Sequence, residues 1–243
     1  MSASSPGSRP RIMLVHALKE AVGPIHDAFA SEWPQARAYD LLDTSLSDDL
    51  AADGAITHGM VERFRAIGRY AADTGSSGGG TDAILFTCSA FGAAIDAVKA
   101  DLAIPVLKPN EAAFAEALAL GPRIALVVTF PPALSAMSAD MKQVAEETGS
   151  DLHLEGYVVE GALDALKRGD TERHDALIAA AVSTLPQGDA VVLGHFSMAR
   201  AAPTAARRTG VPVLTTPASA VSRLRTLLAP RGSVEDTRGR VRD

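Results

Sequence analysis

The sequence predicts an α/β protein built from two copies of one parallel-sheet topology, and three observations carry that prediction. Short apolar, often β-branched runs alternate with longer stretches of helical periodicity, the pattern of stacked βαβ units. Val, Ile, Leu and Ala supply the apolar share: 47% of the 243 residues are hydrophobic and 5% aromatic, which suits buried parallel strands and excludes disordered and fibrous classes. The third observation is an internal repeat. AILFTCSA (83–90) lies over AVVLGHFS (190–197) at an offset of 107 residues, IPVL (104–107) lies over VPVL (211–214) at the same offset, and RIMLV (11–15) matches RIALV (123–127) at 112. Buried strands resemble one another in general, but one offset serving two separate segments points to duplication and therefore to two lobes related by a pseudo-twofold.

Taken in order, the opening MSASSPGSRP has no apolar run of signal-peptide length, so residues 1–10 are expected to be a disordered leader. Strands are predicted at IMLVH (12–16), AYDLL (38–42), AILFT (83–87), PVL (105–107), IALVV (124–128), LHLEGYVV (152–159), AVVLG (190–194) and PVL (212–214). Between them, Thr57 to Ala72 sets Met60, Phe64, Ile67 and Ala71 on one helical stripe, and 140–148 and 171–185 read similarly. The cluster GSSGGG (75–80) follows a helix and precedes a strand, the reverse of a phosphate-binding loop, and is expected to be a flexible loop over a ligand site. The domain expectation is a first lobe of residues 11–115 and 210–229, a second of 116–209, and a flexible tail at 230–243, where Arg231, Arg238, Arg240 and Arg242 mix with acidic residues.

A net charge of -6 and a pI near 5.5 argue against a nucleic-acid surface, and no apolar run has the length of a membrane span. The single cysteine, Cys88, excludes an internal disulfide and a four-sulfur metal site and suggests a cytoplasmic setting. No pair of histidines has metal-ligand spacing, so no metal is expected.

In open α/β sheets, ligands sit outside the carboxyl ends of the strands. The repeat puts Cys88 and His195 at equivalent strand ends, so two facing lobes would bring thiol and imidazole to one small volume, an arrangement suited to proton transfer at a carbon between them. A helix beginning near Ser89 would favour the Cys88 thiolate through its N-terminal dipole. The alternatives are a small buried hydrophobe for Cys88 and a hydrogen-bonded strand-end histidine for His195. Ser89, Ser197, Thr129 and Thr215 also close strands or open helices and are candidate anion contacts, each with N-capping as its structural alternative. His16 closes the first strand and is a further candidate for substrate binding. His26, His58, His153 and His174 read as surface or structural residues.

These segments resemble a known family. TCSAFG (87–92) is similar to the first cysteine motif of the aspartate/glutamate/hydantoin racemase superfamily, to which arylmalonate decarboxylases and maleate isomerases are related. LGHFSMA (193–199) is similar to the second motif, in which a cysteine normally follows the glycine. LVHA (14–17), LLDTSL (41–46), IPVLKPNEAA (104–113), IALVVTFPP (124–132) and VPVLTTP (211–217) extend the likeness over nearly the whole chain.

The resemblance implies two Rossmann-like lobes with parallel four-stranded sheets, a cofactor-free active site in the cleft between them, and a small carboxylate or amide substrate. It also allows a homo-oligomer. Carried over, Cys88 is the first of the two acid–base cysteines, while His195 replaces the second. The implied activity is that of a racemase or isomerase acting at a carbon next to a carboxylate or carbonyl. Two alternatives stand beside it: a single-cysteine lyase or hydrolase in which His195 activates Cys88, and a non-catalytic protein that binds small acids. In the decarboxylases a tyrosine near the position of Phe130 helps hold the substrate dianion, and here that hydroxyl is missing.

Overall fold

The computed structural model describes residues 9–75 and 80–229. The leader (except residues 9 and 10), most of the glycine cluster and the tail lie outside the described residues. The first half of the chain runs β1 (Arg11–His16), α1 (Val22–Glu32), β2 (Arg37–Leu42), α2 (Ser45–Asp53), α3 (His58–Asp73), β3 (Ala83–Phe86), α4 (Gly92–Asp101), β4 (Val106–Leu107) and α5 (Glu111–Leu120). The second runs β5 (Arg123–Val128), α6 (Pro131–Thr148), β6 (His153–Val158), α7 (Ala162–Lys167), α8 (Thr171–Val182), β7 (Ala190–Leu193), α9 (Ala202–Ala206), β8 (Val213–Thr215) and α10 (Thr216–Leu228).

All strand pairs are parallel, in two sheets of identical order, β2-β1-β3-β4 and β6-β5-β7-β8. The duplication extends to single hydrogen bonds. The carboxylate of Asp82 accepts from the Arg11 N–H at 2.7 Å where β1 begins, and the carboxylate of Asp189 accepts from the Arg123 N–H at 2.9 Å where β5 begins. At the other end of the same strands, Thr87 N–H donates to the Val15 carbonyl and Gly194 N–H to the Val127 carbonyl. The predicted strands therefore form within a residue or so of their expected limits. The helix predicted at 140–148 starts earlier than its periodicity suggests, at Pro131: two prolines fill its first turn, where helices need no amide donor.

Each sheet is apolar on both faces, because alternate residues of one strand point to opposite helix layers. In the first sheet, Met13, Val15, Ile84 and Phe86 pack on α3 and α4, while Ile12, Leu14 and Leu85 pack on α1 and α10. In the second, Val127, Val191 and Leu193 face α8 and α9, while Ile124, Leu126 and Val192 face α5 and α6. Each large side chain buried in this way stabilises the fold by about 1.5–3 kcal/mol before entropy is counted.

The lobe limits differ from expectation in one respect. The helix after β4 does not stay with its own sheet: Ala113, Phe114 and Ala117 of α5 pack on β5 and β7. Symmetrically, β8 pairs with β7 in the second sheet, and the helix after it returns, so that Ala220, Val221 and Leu224 of α10 pack on the first sheet. Residues 111–115 thus join the second lobe and 213–215 its sheet, and only α10 of the segment 210–229 covers the first lobe. The two exchanged helices touch, and the Ser219 hydroxyl donates to the Glu116 carboxylate at 2.6 Å.

Candidate active site at the strand ends

The geometry begins with two matching crossovers. Cys88 follows β3 in extended conformation (φ -119°, ψ 122°) and leads into a 3-10 turn, Ser89–Phe91, before α4. His195 follows β7 in the same conformation (φ -109°, ψ 145°) and leads into a 3-10 turn, Phe196–Ala201, before α9. The turn after Cys88 rests on α6 of the second lobe, and the turn after His195 rests on α1 of the first. Phe196 goes further and joins the core between α1 and α10. Each of these turns thus leans on a helix of the other lobe, with Cys88 and His195 at corresponding points of the two sheets.

Cys88 is half-buried against the first lobe's core. Burial pushes its thiol above the ordinary range, and the nearby backbone N–H of Ala90 offsets this only in part. The expected resting thiolate is thus overturned. The reason is local: the 3-10 turn intervenes before α4, so the amide end of a regular helix does not open directly at the sulfur.

His195 is pulled down to about 4, chiefly by burial and secondarily by the neighbouring His174, so its ring is neutral at pH 7. The backbone N–H of Thr129 points at its Nδ1 at 3.3 Å, and the Thr129 hydroxyl lies 3.2 Å from the same nitrogen. Gly194 makes this approach possible. A Cβ there would lie 2.8 Å from the Met137 sulfur and 3.1 Å from a Val128 methyl, so only glycine lets the end of β7 sit this close to β5 and α6.

Two candidate anion contacts are corrected by this arrangement. Thr129 is buried and turns both its amide and its hydroxyl to His195, so it supports the imidazole rather than facing a ligand. His16 is fully buried and has both nitrogens engaged, Nδ1 with the Thr87 hydroxyl at 2.8 Å and Nε2 with Asp40 at 3.0 Å. Burial lowers its pKa despite the Asp40 hydrogen bond, and its contact is with the residue before Cys88 instead of with a substrate. Asp40 also accepts from or pairs with His26 at 2.9 Å. Ser89, Ser197 and Thr215 are half-buried, and their hydroxyls have no partner among the described residues.

Sequence reasoning missed the residues behind His195. His174 is fully buried, bonds Asp175 through Nδ1 at 2.8 Å, and leaves Nε2 without a partner among the described residues; Asp175 is also held by Arg200 at 3.0 Å. Nothing in the local sequence signals this cluster, because its members meet only through the fold. Also missed were Lys108 and Asp140, which line a cavity of ≈ 80 Å³ with Ser89, Gly92 and Asn110. Lys108, at the end of β4, pairs with Asp96 at 2.7 Å, and burial raises the Asp140 carboxyl in spite of the nearby lysine. Cys88 and His195 are not on the wall of that cavity. Among the described residues there is no group of three or more His, Cys, Asp or Glu able to hold a metal ion, and no helix long and apolar enough to cross a membrane.

Comparison with known proteins bears on this geometry. A family model described as Asp/Glu/Hydantoin racemase matches residues 49–224, well over half of the chain. No curated protein sequence gives a significant match. Among solved structures, allantoin racemase from Klebsiella pneumoniae is similar with a TM-score of 0.62 and 20% identity, over 90% of this chain and 88% of that one. Glutamate racemase RacE1 from Bacillus anthracis is similar at 0.64 and 13%, over 91% and 82%. A variant of arylmalonate decarboxylase is similar at 0.60 and 21%, over 92% and 97%. At these identities the structural likeness shows the shared two-lobed fold.

Proposed function

The chain belongs to the Asp/Glu/hydantoin racemase family, and from that premise we propose that it is a racemase- or isomerase-type enzyme that moves a proton at a carbon next to a carboxylate or carbonyl without a cofactor. Cys88 carries the proton, and His195 is its partner from the second lobe. The observation that supports this reading is the matched placement of thiol and imidazole at corresponding strand ends of the two sheets, with the half-buried hydroxyls of Ser89, Ser197 and Thr215 unpartnered among the described residues. Those hydroxyls suit the carboxylate of a small acid or amide and the enediolate formed from it. With a substrate bound, Cys88 gives up its resting proton to solvent, the thiolate takes the α-proton, the C–H electron pair enters the enediolate, and a proton returns to carbon, from the Cys88 thiol on the same face or from the opposite face where the centre is inverted. A cytoplasmic setting and a paired quaternary state belong to the same reading.

The test is a solvent-deuterium exchange screen over amino acids, hydantoins and dicarboxylates. Exchange at the α-carbon that disappears in Cys88→Ala supports the proposal; exchange unchanged in that variant refutes it.

A second reading, a decarboxylase-like lyase, is favoured by the raised pKa of Cys88, since a resting thiol is already a proton donor to an enediolate left by loss of carbon dioxide. Against it, Phe130 is exposed and offers no hydroxyl to a dianion. Carbon dioxide release from substituted malonates separates the two.

A further inference from the structure

We propose that Thr129 fixes His195 in the neutral Nε2–H tautomer, so that the imidazole donates a hydrogen bond to the substrate's developing oxyanion and does not serve as a second base. The inference rests on the reading of the site as an enediolate-forming one and deepens it by assigning the histidine's task.

The argument starts from what a backbone amide can do. An N–H donates and never accepts, so the nitrogen it points at must present a lone pair. The Thr129 N–H points at Nδ1 at 3.3 Å, and the Thr129 hydroxyl, 3.2 Å away, is free to donate to the same atom. A proton on Nδ1 would face the amide proton, which disfavours both the other neutral tautomer and the doubly protonated ring. The remaining proton sits on Nε2. A base needs an empty lone pair facing the substrate, and in this tautomer the only lone pair faces Thr129.

The surroundings act in the same direction. Burial and the neighbouring His174 hold the ring neutral; Asp175, the nearest carboxylate of that cluster, is already shared by His174 and Arg200. A neutral imidazole donor beside a forming oxyanion is a known way to stabilise an enediolate. Among side chains, proton abstraction then belongs to Cys88: its sulfur accepts the α-proton, inversion draws the opposite-face proton from solvent, and His195 keeps its own.

Two measurements decide the matter without knowledge of the substrate. In the intact protein labelled with ¹⁵N-histidine, the His195 resonances, assigned by their loss in His195→Gln, are expected to show protonated Nε2 and unprotonated Nδ1 from pH 6 to 8. Protonated Nδ1, or a cationic ring in that range, overturns the proposal. The second measurement is alkylation of Cys88 by iodoacetate, a small carboxylate, against neutral iodoacetamide. His195→Gln keeps an N–H donor and is expected to hold the iodoacetate preference, whereas His195→Ala is expected to lower it by about tenfold. Equal preference in all three proteins removes the donor role. Failure of the deuterium screen would count against the enzymatic reading and leave the tautomer result standing.

Discussion

The carboxyl ends of the two sheets carry the same kind of cross-link at different places, and the difference separates their tasks. In the first lobe the link joins His16 at the end of β1 to Thr87, one residue before the thiol, and Cys88 itself has no side-chain partner among the described residues. In the second lobe the link joins Thr129, just past β5, to His195 directly. One lobe braces the backbone behind its reactive group, and the other braces the group. A sulfur left unbraced can exchange a proton; an imidazole anchored through one nitrogen has only the other to offer. His195 at the end of β7 thus sits in a local structure that holds its ring in place.

The strongest way to break the comparison is Cys88→Ala, expected to reduce deuterium exchange by roughly a thousandfold or more, measured by mass spectrometry of recovered substrate. Next is Gly194→Ala. Its new methyl meets the Met137 sulfur at 2.8 Å and the Val127 carbonyl at 3.3 Å, so a loss of about 1–3 kcal/mol is expected in urea unfolding, with the Thr129–His195 contact disturbed in the same protein.

A pH series sharpens the asymmetry further. His195 has a folded pKa of about 4, below its ordinary 6.5, so between these values the unfolded chain binds more protons than the folded one. Its contribution to stability is therefore full above pH 6.5 and lost as pH falls towards 4. Part of that slope should vanish in His195→Gln; His16, shifted in the same direction, keeps the remainder. Equal slopes in the two proteins would contradict the assigned shift. The smallest effect is expected for Thr129→Val, which deletes the hydroxyl and keeps the amide. Stability should change by about 1 kcal/mol or less, and the His195 tautomer should not change.

Much of the fold was legible because buried parallel strands announce themselves as runs of Val, Ile and Leu, and because a duplicated topology repeats them at a fixed spacing. The correspondence of Cys88 and His195 came from that spacing alone. What could not be read was direction. Thr129 was recognisable as a strand-end hydroxyl, but whether it faces a ligand or a neighbouring ring is set by β5 lying beside β7. His16 is a similar case: position puts it at the sheet edge, and the nearness of Asp40, within β2, and of Thr87, just past β3, engages both its nitrogens. The thiol was expected to rest ionised because a helix was expected to start at Ser89; the start at Gly92 depends on a 3-10 turn that hydrophobic periodicity does not resolve. The exchange of α5 and α10 was equally hidden, since an apolar stripe says that a helix is covered and not by which sheet.

That exchange has a consequence for the chain as a whole. Because α5 covers part of the second sheet and α10 part of the first, dividing the polypeptide between the halves would strip one helix from each, leaving Ile12, Leu14 and Leu85 with α1 alone and Ile124, Leu126 and Val192 with α6 alone. Neither half is a self-sufficient folding unit.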